Sequence, residues 1–303
     1  MPQYSGGMEI KMNELTLGRR IYVCINTLLL LAFSFVCLYP VLYVIFASFS
    51  NADLLMSHKG VLWAPLDANL AAYRSIAKNR MIFTGYMNTI FIVLASVVLS
   101  IVMTSIGAYF LSRKNLRFKK AIMIYIMLTM YFSGGIIPFF LTVKNLGMYN
   151  SYLALIIPTA INTYNLVIMR TAFEAVPDSL VEAASIDGAG NISILFRIVL
   201  PLTKATIAVM VLYYGVANWN SWFNAMLFMK DRVKYPLQLV LREILIQNDT
   251  TAMTQGGGLT DSINISKTIK YAVIVVSTVP ILCVYPFLQK YFAQGTLVGA
   301  VKG

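Results

Sequence analysis

The sequence predicts an all-α integral membrane protein that folds as a bundle of six transmembrane helices. Only 12% of its 303 residues are charged, whereas a soluble domain carries about 25%. Hydrophobic residues make up 58% of the chain, and the mean hydropathy is +0.72. The charged residues are clustered, so that six long windows contain no Asp, Glu, Lys or Arg. This pattern indicates a chain that is surrounded by lipid.

Each of the six uncharged windows is long enough to cross a bilayer, since a helix needs roughly 20 apolar residues to span the hydrocarbon core. The apolar runs are continuous rather than alternating, which favours helices over barrel strands. The windows cover residues 21–50, 81–112, 121–143, 145–169, 205–229 and 271–289. Five prolines inside or near them predict kinks rather than helix ends: Pro40, Pro138, Pro158, Pro280 and Pro286.

The first window is predicted to be a retained span rather than a signal peptide. Its apolar run is far longer than the roughly 7–15 residues of a signal-peptide core, and no Ala-x-Ala cleavage pattern follows it. Residues 1–20 are therefore expected to form a cytoplasmic N-terminal segment.

The orientation follows from the short, strongly basic connection between the second and third spans, because such loops favour the cytoplasmic side. Its cations are Arg113, Lys114, Arg117, Lys119 and Lys120. The basic residues before the first span agree with this orientation: Lys11, Arg19 and Arg20. We therefore expect both termini and residues 170–204 to face the cytoplasm, and the long loops 51–80 and 230–270 to face outward.

Several functional classes are disfavoured by what the sequence lacks. The net charge of +12 does not indicate a nucleic-acid partner, because the cations flank apolar spans instead of covering a soluble surface. Cys24, Cys37 and Cys283 lie in apolar spans and are expected to be buried free thiols. His58 is the only histidine, so no metal site of ordinary spacing is predicted.

The chain also has no visible source of energy of its own. No ionisable residue lies inside any window, although ion-coupled transporters usually hold their coupling ion at one. No Gly-x-x-x-x-Gly-Lys-Ser/Thr sequence is present to bind a nucleotide phosphate. If the protein performs work, the energy is expected to come from a partner.

The segment 174–204 carries the most specific local pattern. Ser179 and Glu182 have the spacing of a capping box at the start of a short helix. The small side chains of Ala183 and Ala184 would let another protein surface approach the helix backbone closely. Gly188 and Gly190 are expected to end the helix. From the residues alone, this helix is either a docking element for a partner or a structural helix at the membrane surface.

The same segment resembles the signature of permease subunits of binding-protein-dependent ABC importers. The resemblance rests on Glu182-Ala-Ala-x-x-Asp-Gly-Ala, on Phe196, Ile198, Leu200 and Pro201 after it, and on its position before the second-last span. The end of the chain, from Tyr285-Pro-Phe-Leu-Gln-Lys to Gly303, is similar to the tail of maltose-importer-type permeases. Tyr235-Pro-Leu-Gln-Leu-Val-Leu-Arg242 resembles the oligo- and polysaccharide branch, which includes alginate importers.

This resemblance implies a type I ABC importer permease with a cytoplasmic coupling helix that docks into an ATPase subunit. It assigns that docking to Ser179, Glu182, Ala183, Ala184, Asp187 and Gly188. It also implies a C-terminal tail that contacts the ATPase dimer, formed by Gly299, Ala300, Val301, Lys302 and Gly303. From the residues alone, a frayed terminus is the usual interpretation of the last seven residues.

The last outer loop contains Gly256, Gly257 and Gly258 among small polar residues, which is typical of a flexible linker. The resemblance implies that it could reach into the solute-binding protein and help to expel sugar. Residues 237–246 before it are predicted to form an amphipathic helix at the membrane interface that anchors the loop.

A sugar path is suggested by two indoles among amides, near the outer end of the fifth span, and by an amide in the fourth: Asn218, Trp219, Trp222 and Asn165. The same tryptophans fit an aromatic belt at the membrane surface, which we favour. Asn88, Tyr131, Asn162 and Tyr164 are further polar residues within the spans. They line a cavity or form interhelical hydrogen bonds, and the second interpretation is the simpler one.

Together these features predict a permease subunit that moves an oligosaccharide across a bacterial inner membrane and performs no chemistry of its own. The expected partners are a second homologous permease, two ATP-binding subunits, an extracytoplasmic solute-binding protein and the lipid bilayer; no cofactor is expected in this chain. A secondary transporter or channel, and a membrane-embedded enzyme, are the alternatives. The predicted regions are residues 1–20, the permease domain 21–293 with its coupling segment 174–204 and outer loop 230–268, and the cytoplasmic tail 294–303.

Overall fold

The computed structural model describes residues 17–247, residues 268–284 and residue 286. Every regular element in these ranges is a helix, which confirms the predicted all-α class. The first eight helices are α1 (Leu17–Phe49), α2 (Ala52–Ser57), α3 (Ala71–Lys78), α4 (Arg80–Ser112), α5 (Lys119–Tyr131), α6 (Ile136–Asn145), α7 (Leu153–Ile156) and α8 (Thr163–Glu174).

The chain continues through α9 (Asp178–Ile186), α10 (Asn191–Ile194), a π-helical turn (Leu195–Val199), α11 (Leu200–Leu202), α12 (Lys204–Trp219), α13 (Phe223–Phe228), a 3₁₀ turn (Arg232–Lys234), α14 (Leu237–Gln247) and α15 (Thr268–Val284). Within the described ranges, α1 and α4 are each long and apolar enough to cross a membrane as single helices of 33 residues. Two further candidate spans are bent pairs of helices, and α15 is a shorter apolar helix.

The third uncharged window folds as two helices that meet at a sharp bend, and not as one span with a kink at Pro138. The axes of α5 and α6 differ by 109°. The bend lies at Gly135, whose φ of 85° is in the left-handed region that glycine adopts without strain. Pro138 then falls in the first turn of α6, where its missing N–H costs little.

The fourth window is also interrupted. Its first part forms only the short helix α7, and Pro158 follows where an α-helix would need a backbone N–H. The Thr159 hydroxyl donates a hydrogen bond to the Leu155 carbonyl in this turn (2.8 Å). The Asn162 side chain then caps α8 by accepting from the Asn165 N–H (3.1 Å). Pro40 and Pro280, by contrast, lie inside α1 and α15 and end neither helix.

The principal core lies where α4, α8 and α12 pack together, with Met169, Phe173 and Met210 fully buried. Thr104 and Tyr214 share a hydrogen bond of 2.7 Å that joins α4 to α12. The buried face of α4 is rich in small hydroxyl residues, which allow membrane helices to approach closely: Thr89, Ser96, Ser100, Thr104 and Ser105.

The buried residues of α1 are Ala47 and Ser48, near its C-terminal end. Earlier in the helix, Phe35 and Tyr39 contact Trp63, and Tyr43 contacts Tyr271 of α15. The three cysteines are free, but the prediction that they are buried is wrong. Cys24, Cys37 and Cys283 are all exposed. They lie on faces of α1 and α15 that no other described part of this chain covers.

Candidate functional site

The predicted docking helix is present as α9, but it does not begin with the predicted capping box. Pro177 occupies the N-cap position in an extended conformation, and no side chain caps the helix. Because the N-cap lies two residues earlier than the predicted Ser179, Ser179 lies inside the first turn and its hydroxyl does not cap the free N–H groups. Asp178, in the first helical turn, forms an ion pair with Lys114.

Gly188 ends α9, as predicted. Its φ of +82° is left-handed, and the Ala189 N–H bonds the Ala184 carbonyl (2.9 Å) while the Gly188 N–H bonds the Ser185 carbonyl (3.1 Å). These two bonds form a Schellman motif. Gly190 has a different role from the predicted one: with a φ of −71° it is the N-cap of α10.

The surface of α9 is open, and none of its residues is buried by the described chain. The residues assigned to docking are exposed except Ala184, which is half-buried and packs with Val181 against the principal core. Ile186 is 87% exposed, an apolar contact surface that the sequence analysis did not single out. The helix therefore has an inner side held by its own chain and an outer side available to a partner.

Ion pairs join this segment to the basic loop between α4 and α5. The hydrogen bond from Lys114 lowers the pKa of Asp178 and raises the pKa of Lys114 itself. One oxygen of Glu174, Oε1, lies 2.6 Å from Lys119 Nζ and 2.6 Å from an Arg170 nitrogen. The sequence showed this basic loop only as an orientation signal; its pairing with residues 174–178 depends on the fold.

The same cations also bind the end of α4. Arg170 Nε donates to the Leu111 carbonyl (3.4 Å), and Lys119 Nζ lies within 3.4 Å of the Ser112 carbonyl. Both contacts satisfy carbonyls that a helix end leaves free, and positive charge is favoured there by the helix dipole. The C-terminal end of α4, the start of α5 and the end of α8 are thus joined through Glu174. We call Lys119, Arg170 and Glu174 the Glu174 cluster.

The four residues proposed for a sugar path are packed into different parts of the structure. Trp219 is buried, and its Nε1–H donates to the Ser277 carbonyl of α15 (3.2 Å), so its assignment to a surface belt is wrong. The Arg242 guanidinium of α14 lies over the ring of Trp222, with its Cζ 4.3 Å from the ring centroid. Asn218 donates to the Tyr214 carbonyl of its own helix (2.9 Å), and Asn165 is buried in the first turn of α8.

Asn88 forms hydrogen bonds within the protein, which favours the second of the two roles predicted for polar residues in the spans, hydrogen bonding over lining a cavity. Its Nδ2 donates to the carbonyls of Val233 (2.7 Å) and Tyr235 (3.0 Å), and its Oδ1 accepts from the Tyr152 hydroxyl (2.9 Å). It therefore ties α4 to the segment before α14 and to the residue before α7.

The predicted interfacial position of α14 is wrong, because this helix packs into the protein. Leu237 is fully buried and its backbone crosses α4 at Gly85, where an added Cβ would lie 3.2 Å from Leu237 Cα. The Leu237 N–H also donates to Thr89 Oγ1 (2.8 Å). Glycine in α4 permits this close approach, which periodicity within 237–246 alone could not show.

A cavity of about 280 Å³ lies between α4, α12 and α15. Its lining is aliphatic apart from Trp219, whose N–H is already bonded. Such a lining offers a saccharide no hydrogen bonds, so this cavity is not a sugar site. The predicted binding-protein loop (Gly256, Gly257 and Gly258) and the predicted tail (Gly299, Ala300, Val301, Lys302 and Gly303) lie outside the described residues.

Comparison with known proteins agrees with this architecture. Residues 96–298 match the family described as the inner membrane component of binding-protein-dependent transport systems. The polygalacturonan/rhamnogalacturonan transport system permease protein YtcP of Bacillus subtilis (strain 168) is 43% identical over 90% of this chain and 96% of its own length. Protein LplC of the same organism is 38% identical over 96% of this chain and 98% of its own length.

A solved structure is similar over nearly the whole molecule. It is a chain of a bacterial ABC transporter involved in the import of the acidic polysaccharide alginate. The TM-score is 0.84 at 33% identity, over 92% of this chain and 99% of that one. The fold is therefore that of a type I ABC importer permease, and the chain belongs to the family of binding-protein-dependent transport system inner membrane components.

Proposed function

We propose that this chain is one of two permease subunits of an ATP-driven importer that carries an acidic oligosaccharide across the bacterial inner membrane. The observation that carries the substrate class is the agreement between two relatives. One is named for polygalacturonan and rhamnogalacturonan transport, and the other belongs to a transporter involved in the import of the acidic polysaccharide alginate. Polygalacturonan and alginate are both polymers of acidic sugars.

The proposed partners are a second permease, two ATP-binding subunits and an external solute-binding protein. The exposed outer side of α9 supports an ATPase contact, and the large exposed surface of α1 supports a second membrane subunit. The basic loop and residues 174–178 lie at the same end of the bundle, since Lys114 pairs with Asp178 and Lys119 with Glu174. This supports a cytoplasmic position for that end and for both termini.

Uptake into proteoliposomes that contain the assembled complex tests the substrate class. A galacturonate trisaccharide and a neutral glucose trisaccharide would be offered with the solute-binding protein, with and without ATP inside. We expect ATP-dependent uptake of the acidic sugar and little of the neutral one. Preference for the neutral sugar would overturn the acidic class, and ion-driven uptake by this chain alone would favour a secondary transporter.

The coupling role of α9 is tested at Gly188 and Glu182. Gly188→Val forces a branched side chain into a left-handed backbone at a φ of +82°, whereas Gly188→Asn is the matched control because Asn tolerates that region. We expect Gly188→Val and Glu182→Lys to insert normally but to lose ATP hydrolysis stimulated by the binding protein, and Gly188→Asn to retain most of it. Wild-type stimulation in both impaired variants would refute the assignment.

A further inference from the structure

Two neighbouring membrane segments are interrupted at the same level of this protein. Helix α5 ends at Tyr131, and α6 begins at Ile136 after a 109° bend. The segment beside it is interrupted between α7 and α8, at residues 157–162. Discontinuous helices in membrane transporters often form the substrate path.

Contacts at both ends of α5 and α8 show that the two interruptions are adjacent. At the cytoplasmic end, Lys119 lies 2.6 Å from Glu174. At the other end, the hydroxyls of Thr129 and Thr163 are 3.3 Å apart. At about 1.5 Å per residue, residues 119–129 of α5 and 163–174 of α8 are each about 15–17 Å long. Helix α5 as a whole spans about 20 Å, so both interruptions fall beyond the middle of a hydrocarbon core of about 30 Å.

The first interruption exposes backbone that lipid cannot satisfy. All residues from 131 to 138 are exposed in the described chain. Among the described residues, the N–H groups of Ser133 and Gly134 have no hydrogen-bond partner, while Gly135 N–H bonds Ser133 Oγ (3.3 Å). Irregular backbone at membrane depth is tolerated only where protein buries it or where it lines a water-filled cavity. This surface therefore faces away from lipid.

The side chains around the interruption suit a saccharide. Tyr131 is 81% exposed, Phe132 is 75% exposed, and Tyr164 on α8 is 55% exposed. Neither tyrosine hydroxyl has a hydrogen-bond partner in the described part of the chain. The side chain of Asn88, by contrast, is already hydrogen-bonded within the protein. An aromatic face packs against the C–H groups of a sugar ring, and hydroxyls supply donors and acceptors for its oxygens.

We propose that Tyr131, Phe132 and Tyr164, with the exposed backbone of residues 133–135, form the sugar-contacting wall of the translocation path in this subunit. The inference rests on the proposed import of an oligosaccharide and names the residues that contact it. It replaces the dispersed set around Trp219 and Trp222, which are held by α15 and α14.

Transport by variants of the assembled complex tests the assignment. Tyr131→Ala and Tyr164→Ala are each expected to raise the galacturonate trisaccharide concentration for half-maximal uptake about fivefold, the loss of roughly 1 kcal/mol of aromatic contact. Tyr125→Ala is the matched control: it removes a tyrosine that is 73% exposed from the regular part of α5. Assembly of the complex serves to exclude misfolding in all three variants.

Cysteine labelling gives a second measurement. In a chain with its native cysteines replaced by Ser, Phe132→Cys is expected to react with a water-soluble maleimide in the assembled complex. The galacturonate trisaccharide should slow that reaction, and Tyr125→Cys should show no such protection. A Phe132→Cys that does not react would mean that lipid or another subunit covers this surface, and the proposal would be wrong.

The two proposals fail in different ways. If the wild-type complex takes up neither trisaccharide, the proposed function is wrong. If the wild-type complex takes up the acidic trisaccharide but Tyr131→Ala and Tyr164→Ala behave like Tyr125→Ala, only the assignment of the sugar-contacting wall is overturned.

Discussion

Replacing Glu174 by Gln removes the carboxylate charge with almost no change in side-chain volume, and it should destabilise the end of the bundle at which α4, α5 and α8 meet. One oxygen of Glu174 receives both Lys119 and Arg170, each at 2.6 Å. The same two cations bind carbonyls at the end of α4. Loss of the carboxylate charge therefore weakens the connection among α4, α5 and α8.

The expected loss is about 1–2 kcal/mol of unfolding free energy. A fully buried charge-assisted hydrogen bond contributes about 1.5–3 kcal/mol, and an exposed ion pair about 0.2–1 kcal/mol. The Glu174 side chain is 30% exposed and its partners are 23% and 21% exposed. Because solvent partly screens these groups, each of the two bonds is expected to contribute about 0.5–1 kcal/mol, which gives about 1–2 kcal/mol for both.

The pH dependence provides a sharper test. Burial opposes ionisation of Glu174, but the hydrogen bonds from Lys119 and Arg170 outweigh it, so that the pKa is lowered from 4.5. A lowered carboxyl pKa stabilises the folded state above the unfolded-state value, and this stabilisation is lost as the pH falls through the folded-state value. The difference between wild type and Glu174→Gln should therefore be constant above about pH 5.5 and shrink below about pH 4.5.

Thermal unfolding of the purified full-length chain in detergent, followed from pH 4 to pH 8, measures this difference. Glu182→Gln is the matched control, because Glu182 is an exposed carboxylate of the same segment with no ion pair among the described residues. Equal melting temperatures for wild type and Glu174→Gln at pH 7 would refute the reasoning. A difference that persists unchanged to pH 4 would show that the carboxylate charge is not its cause.

Two further changes test the packing around α4. Gly85→Ala should be about 1–2 kcal/mol less stable than Gly215→Ala in thermal unfolding, because the new Cβ meets Leu237 Cα at 3.2 Å, whereas at Gly215 the nearest atom is 3.9 Å away; equal stability would contradict that crossing. Asn88→Ala should cost about 1–3 kcal/mol, since it removes three hydrogen bonds. Tyr152→Phe, which removes one of them, should cost less, and the reverse order would contradict the network.

Local patterns predicted the features that depend on a few neighbouring residues. The uncharged windows became helices because the backbone in lipid must bond to itself. Gly188 ends α9 because glycine adopts its left-handed φ without strain. The capping box is wrong, although its residue types and spacing fit, because Pro177 occupies the N-cap position two residues upstream of the predicted N-cap, Ser179.

The candidate site was predictable only in part. The residues predicted to dock come from one contiguous motif, and they lie on the open helix α9 or directly after it. The Glu174 cluster was not found, because Lys119 and Glu174 are far apart in the chain and meet only when α5 lies beside α8. Trp219 was misassigned because its burial depends on α15, which packs over it.

By itself, the sequence determined that the chain is an all-helical membrane protein with the motif of the importer permease family, because composition, charge and one short motif suffice for these conclusions. Only the tertiary structure decided which spans are broken, which polar side chains form hydrogen bonds within the protein, and which are exposed without such a bond. Tyr131 and Asn88 are both polar residues in apolar windows, yet one is exposed at a helix break and the other is fully bonded. The difference arises from neighbours supplied by distant parts of the chain, and no local pattern encodes them.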